Sequence, residues 1–468
     1  MIDDRFTLPT PGPPATVSFP PVSRTSLPNG LGIWSVAHAS VPVVSCALVL
    51  NRGTAGDPPD RPGLASLVAS LAIESAGQRD AIALADALAR MGAHLDVQPA
   101  ADVTVISLQT LTRHLPAALD VLSDIVRRPQ FTSEDFARVR ELRLSRLRQA
   151  SRVASTMADR ALIAGVFGDH PYGHGALGTT RSVEQIGIDD VRAWWTRAWS
   201  PAGATFVAAG DVDAGTVGAE VARVFGDWEA GDGTGEPGNG GAGGTLGAEP
   251  ARLPETARSG DGARVLVVHR PGAAQAELRV GQLGPSRRTP DYHALVTLNA
   301  LLGGQFTSRI NRNLREGRAI TYGARTGFEM RRAGGLFSCD ASVQADAAHV
   351  AAQEVLRECA IIAEPDAVGR DELDRAQASL TRGYVRHFET AGQLTRALVD
   401  LATYRLPDDT FDRFVPAIGA LNPADIARAA GTTLRPADCT IVVVTDLDRH
   451  REPLRTLGRD VVEVQIEF

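Results

Sequence analysis

Gly63-Leu64-Ala65-Ser66-Leu67-Val68-Ala69-Ser70-Leu71-Ala72-Ile73-Glu74 carries its apolar side chains at helical spacing. Leu64, Leu67, Val68 and Leu71 fall at i, i+3, i+4 and i+7, which lays one apolar stripe along a helix. Ser66, Ala69 and Ser70 share another face, made of two hydroxyls and a methyl. Before this helix, Thr25–Leu27, Leu31–Ala37 and Val43–Leu50 read as strands, the first two joined by an Asn29-Gly30 turn. After it, a helix at Ala81–Met91 leads to strands at His94–Pro99 and Thr104–Thr110 and a helix at His114–Val126. A long, arginine-rich helix follows at Ser133–Ala150, with Thr132-Ser133-Glu134-Asp135 as its cap. Helices at Thr156–Phe167 and Ile188–Ala198 flank the loop Gly168–Gly178, and Ala204–Ala209 reads as a buried strand. Several strand pairs look like hairpins or meanders, so the pattern predicts an α+β fold rather than a doubly wound sheet.

The pattern then repeats. Leu266-Val267-Val268-His269 mirrors Ser35-Val36-Ala37-His38, and Leu278-Arg279-Val280 mirrors Ala47-Leu48-Val49, both at an offset of 231 residues. That offset lays a helix at Ala294–Leu302 over Gly63–Leu71. Ile441-Val442-Val443-Val444-Thr445-Asp446 echoes Phe206-Val207-Ala208-Ala209-Gly210-Asp211 at an offset of 235. Order and spacing agree at both ends, which predicts two homologous halves, residues 23–229 and 260–468. Between them, residues 230–259 are Gly-rich and too poor in apolar side chains to offset the entropy of ordering, so they read as a flexible linker. Residues 1–22, acidic and then Pro-rich, read as an N-terminal tail that orders only on contact.

At 468 residues two or more domains are expected. Lys and Arg number 48 against 55 Asp and Glu; the net charge of −7 argues against a nucleic-acid or anionic-membrane surface. The four cysteines, Cys46, Cys339, Cys359 and Cys439, lack paired spacing and mostly lie on apolar runs, which predicts buried free thiols. No apolar run is long enough to span a bilayer. The N-terminus has no signal-peptide pattern, which points to the cytoplasm, or to the periplasm if the native start lies upstream.

The layout resembles the pitrilysin-like family of inverted-zincin metallopeptidases, in its short two-half bacterial and mitochondrial-processing form. The resemblance rests on Leu27-Pro28-Asn29-Gly30-Leu31, Gly63-Leu64-Ala65, Gly168-Asp169-His170-Pro171-Tyr172-Gly173 and Gly210-Asp211-Val212. The second half adds Gly303-Gly304-Gln305-Phe306-Thr307-Ser308-Arg309-Ile310-Asn311, running on to Leu314-Arg315-Glu316. It implies two sheets with helices on one face, closed as a clam-shell around a chamber.

In active members, the resemblance implies, His-x-x-Glu-His follows Gly-Leu-Ala, and a glutamate about 76 residues further on completes the zinc site. Here Ser66 and Ser70 stand for the imidazoles, Ala69 for the general base, and the count from Ser70 reaches Arg146. A guanidinium keeps its proton and repels a divalent cation, so neither a metal site nor a catalytic residue is expected there. The family's second half carries an Arg and a Tyr seven residues apart that resemble a substrate clamp; Arg315 and Tyr322 match. Both can donate hydrogen bonds to peptide carbonyls.

Other residues that tempt a site reading are expected to be structural. Pro171 and Gly173 keep His170 and His174 from stacking on one helix face. His38 and His269 sit at equivalent strand ends with no carboxylate cluster nearby in sequence. Arg138, Arg140, Arg143, Arg146 and Arg148 spread around their helix and do not form a nucleic-acid stripe.

The implied function is that of a zinc-less subunit. It binds peptide and lends Arg315 and Tyr322 to a zinc-bearing partner subunit in a heterodimer or larger assembly, with zinc only in the partner. A homodimer is a further option. The alternatives are a structural or binding protein like the family's respiratory-complex core subunits, and a zinc endopeptidase with relocated ligands.

Overall fold

The computed structural model describes residues 16–229 and 264–468, with residues 12 and 253. The linker read at residues 230–259 lies, Leu253 apart, outside the described residues. Two six-stranded mixed sheets form the two halves. The first runs β1 (Ser23–Ser26), β2 (Gly32–Ala37), β6 (Thr205–Gly210), β3 (Val43–Leu50), β5 (Thr104–Leu111), β4 (His94–Pro99) in spatial order. The second runs β12 (Val461–Glu463), β7 (Val265–His269), β11 (Thr440–Thr445), β8 (Gln275–Gly284), β10 (Gly335–Gln344), β9 (Thr321–Met330). β2 lies parallel to β6 as β7 does to β11, and the inner pairs that follow are antiparallel in both sheets. The duplication is therefore present in the topology. Only the outer strand differs: β1 precedes β2 and pairs antiparallel, whereas β12 comes from the end of the chain and pairs parallel with β7.

β3 explains how the halves interlock. Its sequence, VVSCALVL, is an almost unbroken apolar run, the signature of a strand covered on both faces. Val44, Cys46, Leu48 and Leu50 face the first half's own helices, among them the helix Leu64–Ala72. Ala47, with Val36, Val207 and Ala209, packs instead against Leu394, Ala397, Leu398 and Leu401. Those four belong to the helix Ala391–Tyr404 of the second half. The exchange is mutual: Ala158, Ala161, Leu162 and Val166, on the helix Ala154–Phe167, pack against Val268, Val442 and Val444 of the second sheet. Each buried Leu or Val here contributes about 1.5–3 kcal/mol, so each half's sheet depends on the other half for one of its faces. Residues 16–22 join the same layer. Phe19 packs on Phe388 and Phe411, and its N–H donates to Asp412 at 2.6 Å.

A polar junction pins the halves beside this packing. The hydroxyl of buried Tyr172 donates to Asp102, whose other oxygen accepts the Arg332 N–H at 2.9 Å. Arg332 also reaches Asn51 Oδ1 at 2.8 Å and the Thr403 carbonyl at 2.6 Å. The loop around His170 and Tyr172 is thus a structural connector: His170 Nδ1 accepts the Tyr172 N–H. All four cysteines are free and buried, and burial pushes the Cys46 thiol up to about 12. Among the described residues no helix is long and apolar enough to cross a membrane.

Candidate functional site

The helix Leu64–Ala72 starts at a close approach of backbones. Gly63 has φ of 95°, and a Cβ there would lie 2.8 Å from Gly178. Only glycine fits both the left-handed conformation and the contact. Asp57 closes the helix start, its carboxylate accepting the Gly63 and Ala65 N–H groups at 2.7 Å each. The expected apolar stripe is buried, and Ser66 and Ala69 are buried as well; Ser70 is partly exposed.

The cover over Ser66 and Ser70 comes from Arg143. It projects from the arginine-rich helix Ser133–Ala150, is 3% exposed, and donates through Nη2 to the Ser66 carbonyl at 3.1 Å and Ser70 Oγ at 3.0 Å. Ser70 Oγ in turn donates to the Ser66 carbonyl at 2.9 Å. These bonds form a closed triangle that links the two helices. Arg146, one turn further on, is exposed. Burial and the neighbouring Arg146 charge lower the Arg143 guanidinium to about 10, against a pull from Asp57, so it stays protonated at neutral pH.

Sequence spacing pointed to Arg146 at this centre, and the structure brings Arg143 onto the serines. A signal for it exists in the sequence. Phe136, Val139, Arg143 and Leu147 follow one another at helical spacing and are all buried, so Arg143 sits on the packed stripe of its helix.

Asp57 supplies a pH test. Burial raises its carboxyl from 3.8 to about 7, against the two backbone N–H bonds and the Arg143 charge. Because the folded value lies above the unfolded one, its stabilising contribution is complete below about pH 4 and is lost as pH rises through 7. The melting temperature is expected to fall between about pH 4 and 7 and to level off above that, and Asp57→Asn to flatten that fall. A wild-type profile as flat as the variant's contradicts this assignment.

The second half presents a pocket of about 510 Å³, lined by Phe306, Arg315, Tyr322, Arg325 and Asp340 among others. Two local irregularities aim the Arg and Tyr. Arg315 lies on a six-residue π-helical turn, Arg312–Gly317, of the kind that recurs at functional sites. After it, Ala319 takes a left-handed φ of 55°, a strained conformation for a residue with a side chain. The pairing of β10 with β9 then shifts between Ala341 and Val343, leaving an extra residue on β9 at Tyr322-Gly323. Such a bulge re-aims side chains, and Tyr322 is 92% exposed. Arg315 stacks on Phe306 at 3.3 Å from the ring centroid and pairs with Glu316 at 2.7 Å. Its Nη1 is buried with no hydrogen-bond partner among the described residues. The exposed Tyr322 phenol beside this guanidinium is the donor that an acceptor on a bound chain can reach.

Comparison with known proteins agrees with this architecture. Residues 33–180 match the family described as Insulinase (Peptidase family M16), and residues 185–380 match the Peptidase M16 inactive domain. The chain belongs to the M16 peptidase family. An uncharacterized zinc protease of Mycobacterium tuberculosis is 25% identical to it over 382 residues, covering 81% of each chain. One from Streptomyces coelicolor is 24% identical over 418 residues, 88% of this chain and 87% of that one. A peptidase M16 inactive domain from Pseudomonas fluorescens shares the fold with a TM-score of 0.81 at 23% identity, over 91% of this chain and 98% of that one. A protease from Helicobacter pylori does so with a TM-score of 0.82 at 17% identity, over 91% and 99%.

The residues at the first-half centre do not suit the zinc that active M16 peptidases are expected to hold. Hydroxyls, a methyl and two guanidinium groups offer no imidazole, thiolate or carboxylate ligand, and the Ser70 hydroxyl is already engaged as both donor and acceptor. Among the described residues, the group with metal-ligand chemistry is His269, Asp446 and Asp448, on the second half. There His269 Nδ1 accepts the Leu447 N–H, and Asp446 accepts the Gly272 N–H.

Proposed function

We propose that this chain is a non-catalytic M16 subunit. It binds an extended peptide and supplies the Arg315 and Tyr322 donors to a zinc-bearing M16 partner that performs the cleavage. The observation that carries the reading is Arg143: a permanently charged group hydrogen-bonds the two serines at the positions where active relatives are expected to carry their histidine ligands. Without a metal or a general base, this centre has no means of activating water. The second half, in contrast, keeps an open pocket lined by Arg315 and the exposed Tyr322. One relative is named a probable mitochondrial-processing peptidase subunit beta from Schizosaccharomyces pombe, 24% identical over 177 residues, and a peptidase with more than one subunit supports this reading. The sheets offer the means of holding a peptide. β4 and β9 are the terminal strands of their sheets, and β4 packs against the helix that carries Ser66 and Ser70. An extended peptide adds to such an edge through main-chain hydrogen bonds.

The test is retrieval of the tagged full-length chain from its own cells, followed by an assay with an unstructured peptide. A stoichiometric M16 chain bearing His-x-x-Glu-His is expected with it, and chelator-sensitive cleavage is expected only when that chain is present. Recovery of a homodimer alone, or cleavage by the isolated chain, overturns the proposal.

A further inference from the structure

Arg143 and Arg146 are three residues apart on one helix, a spacing that makes their side chains neighbours. Two other arginines of this helix are paired with carboxylates, Arg138 with Glu74 and Asp135 and Arg148 with Glu141, and Arg140 lies over the Phe136 ring. Arg143 and Arg146 make no ion pair among the described residues. Arg143 donates only to neutral oxygens, those of Ser66, Ser70 and, at 3.5 Å, Leu177. Arg146 is exposed and has no hydrogen-bond partner among the described residues. The nearest counter-charge acting on Arg143 is Asp57, which is buried and accepts the N–H groups that start the helix Leu64–Ala72. Two cations thus share a site with one buried acid behind them, whose oxygens accept backbone N–H groups, beside the helix that packs against the terminal strand β4.

We infer that the former metal centre is an anion site, and that the chain prefers peptides placing a carboxylate side chain there. Arg146 makes the contact, as a charge-assisted donor in reach of solvent. Arg143, fixed to Ser66 and Ser70, supplies a second positive charge beneath it. A peptide laid along β4 runs past the helix Leu64–Ala72, where a Glu or Asp side chain meets Arg146. A basic side chain at that position meets two like charges. This inference rests on the peptide-binding reading above and names the class of peptide it applies to.

The experiment uses the full-length chain and a short, neutral, extended peptide labelled for fluorescence anisotropy. A series of single substitutions scans Glu, Gln and Lys along the peptide. One position is expected at which Glu binds about five- to tenfold tighter than Gln, with Lys weaker than both, and the advantage is expected to shrink at high salt. Arg146→Gln is expected to abolish the Glu advantage. Arg148→Gln, which removes the same charge from the same helix at a side chain paired with Glu141, is expected to keep it. Equal affinity of the Glu and Gln peptides at every position overturns the inference while leaving peptide binding intact. So does a Glu advantage that survives in Arg146→Gln as fully as in Arg148→Gln. Failure of every peptide in the series to bind overturns the peptide-binding reading itself, and this inference with it.

Discussion

Tyr322→Phe is expected to lower turnover by the assembled complex roughly ten- to a thousandfold, with assembly unchanged. The substitution removes one hydroxyl and nothing else. Tyr322 is 92% exposed and its hydroxyl makes no hydrogen bond among the described residues, so the fold does not depend on it. In the proposed complex that hydroxyl donates to a substrate carbonyl, and the bond strengthens as negative charge develops on the oxygen. The loss therefore falls on kcat more than on KM. Arg315→Ala is expected to reduce kcat as well and to raise KM, because it removes a charge-assisted donor and the stack on Phe306. The assay mixes each variant with wild-type zinc-bearing partner. Unchanged turnover in both variants, with assembly intact, would reduce this chain to a scaffold and favour the structural alternative.

The second large effect concerns rebuilding a metal site. Ser66→His, Ala69→Glu and Ser70→His together restore two imidazoles and a carboxylate to one helix face. The triple variant is still expected to bind zinc poorly, because the Arg143 guanidinium lies 3.0 Å from Ser70 Oγ in the wild type. Two unit charges 4 Å apart repel by about 4 kcal/mol at a partly screened effective dielectric, and a divalent ion roughly doubles that. Arg146→Glu adds a third ligand at the position the spacing implies, and Arg143→Ala removes the opposing charge. Of these two additions, Arg143→Ala is expected to give the larger gain, at least about a thousandfold in zinc affinity measured by chelator competition. Equal affinities with and without Arg143 would place its charge outside the site.

Much of this was legible before the structure, and what escaped did so for identifiable reasons. The stripe through Leu64, Leu67, Val68 and Leu71 shows in sequence because helix periodicity is local. The duplication shows because its offset drifts by only four residues between His38/His269 and Asp211/Asp446. Arg143 was hidden among five arginines on one helix, since residue type alone does not say which one turns inward. Its place on the Phe136–Val139–Leu147 stripe does. The exchange of helices between halves is a long-range event with no local signature beyond the two-faced apolar run of β3. Arg315 and Tyr322 were readable as a pair. The π-helical turn and the β9 bulge that aim them arise from backbone geometry that side-chain spacing does not encode.

The most direct test of the central claim is the zinc content of the isolated full-length chain. The protein is loaded with excess zinc, freed of loosely bound metal by gel filtration, and measured by elemental analysis. With Arg143 held on Ser66 and Ser70, far less than one zinc per chain is predicted. One tightly held zinc per chain, with chelator-sensitive cleavage of an unstructured peptide, would contradict the account.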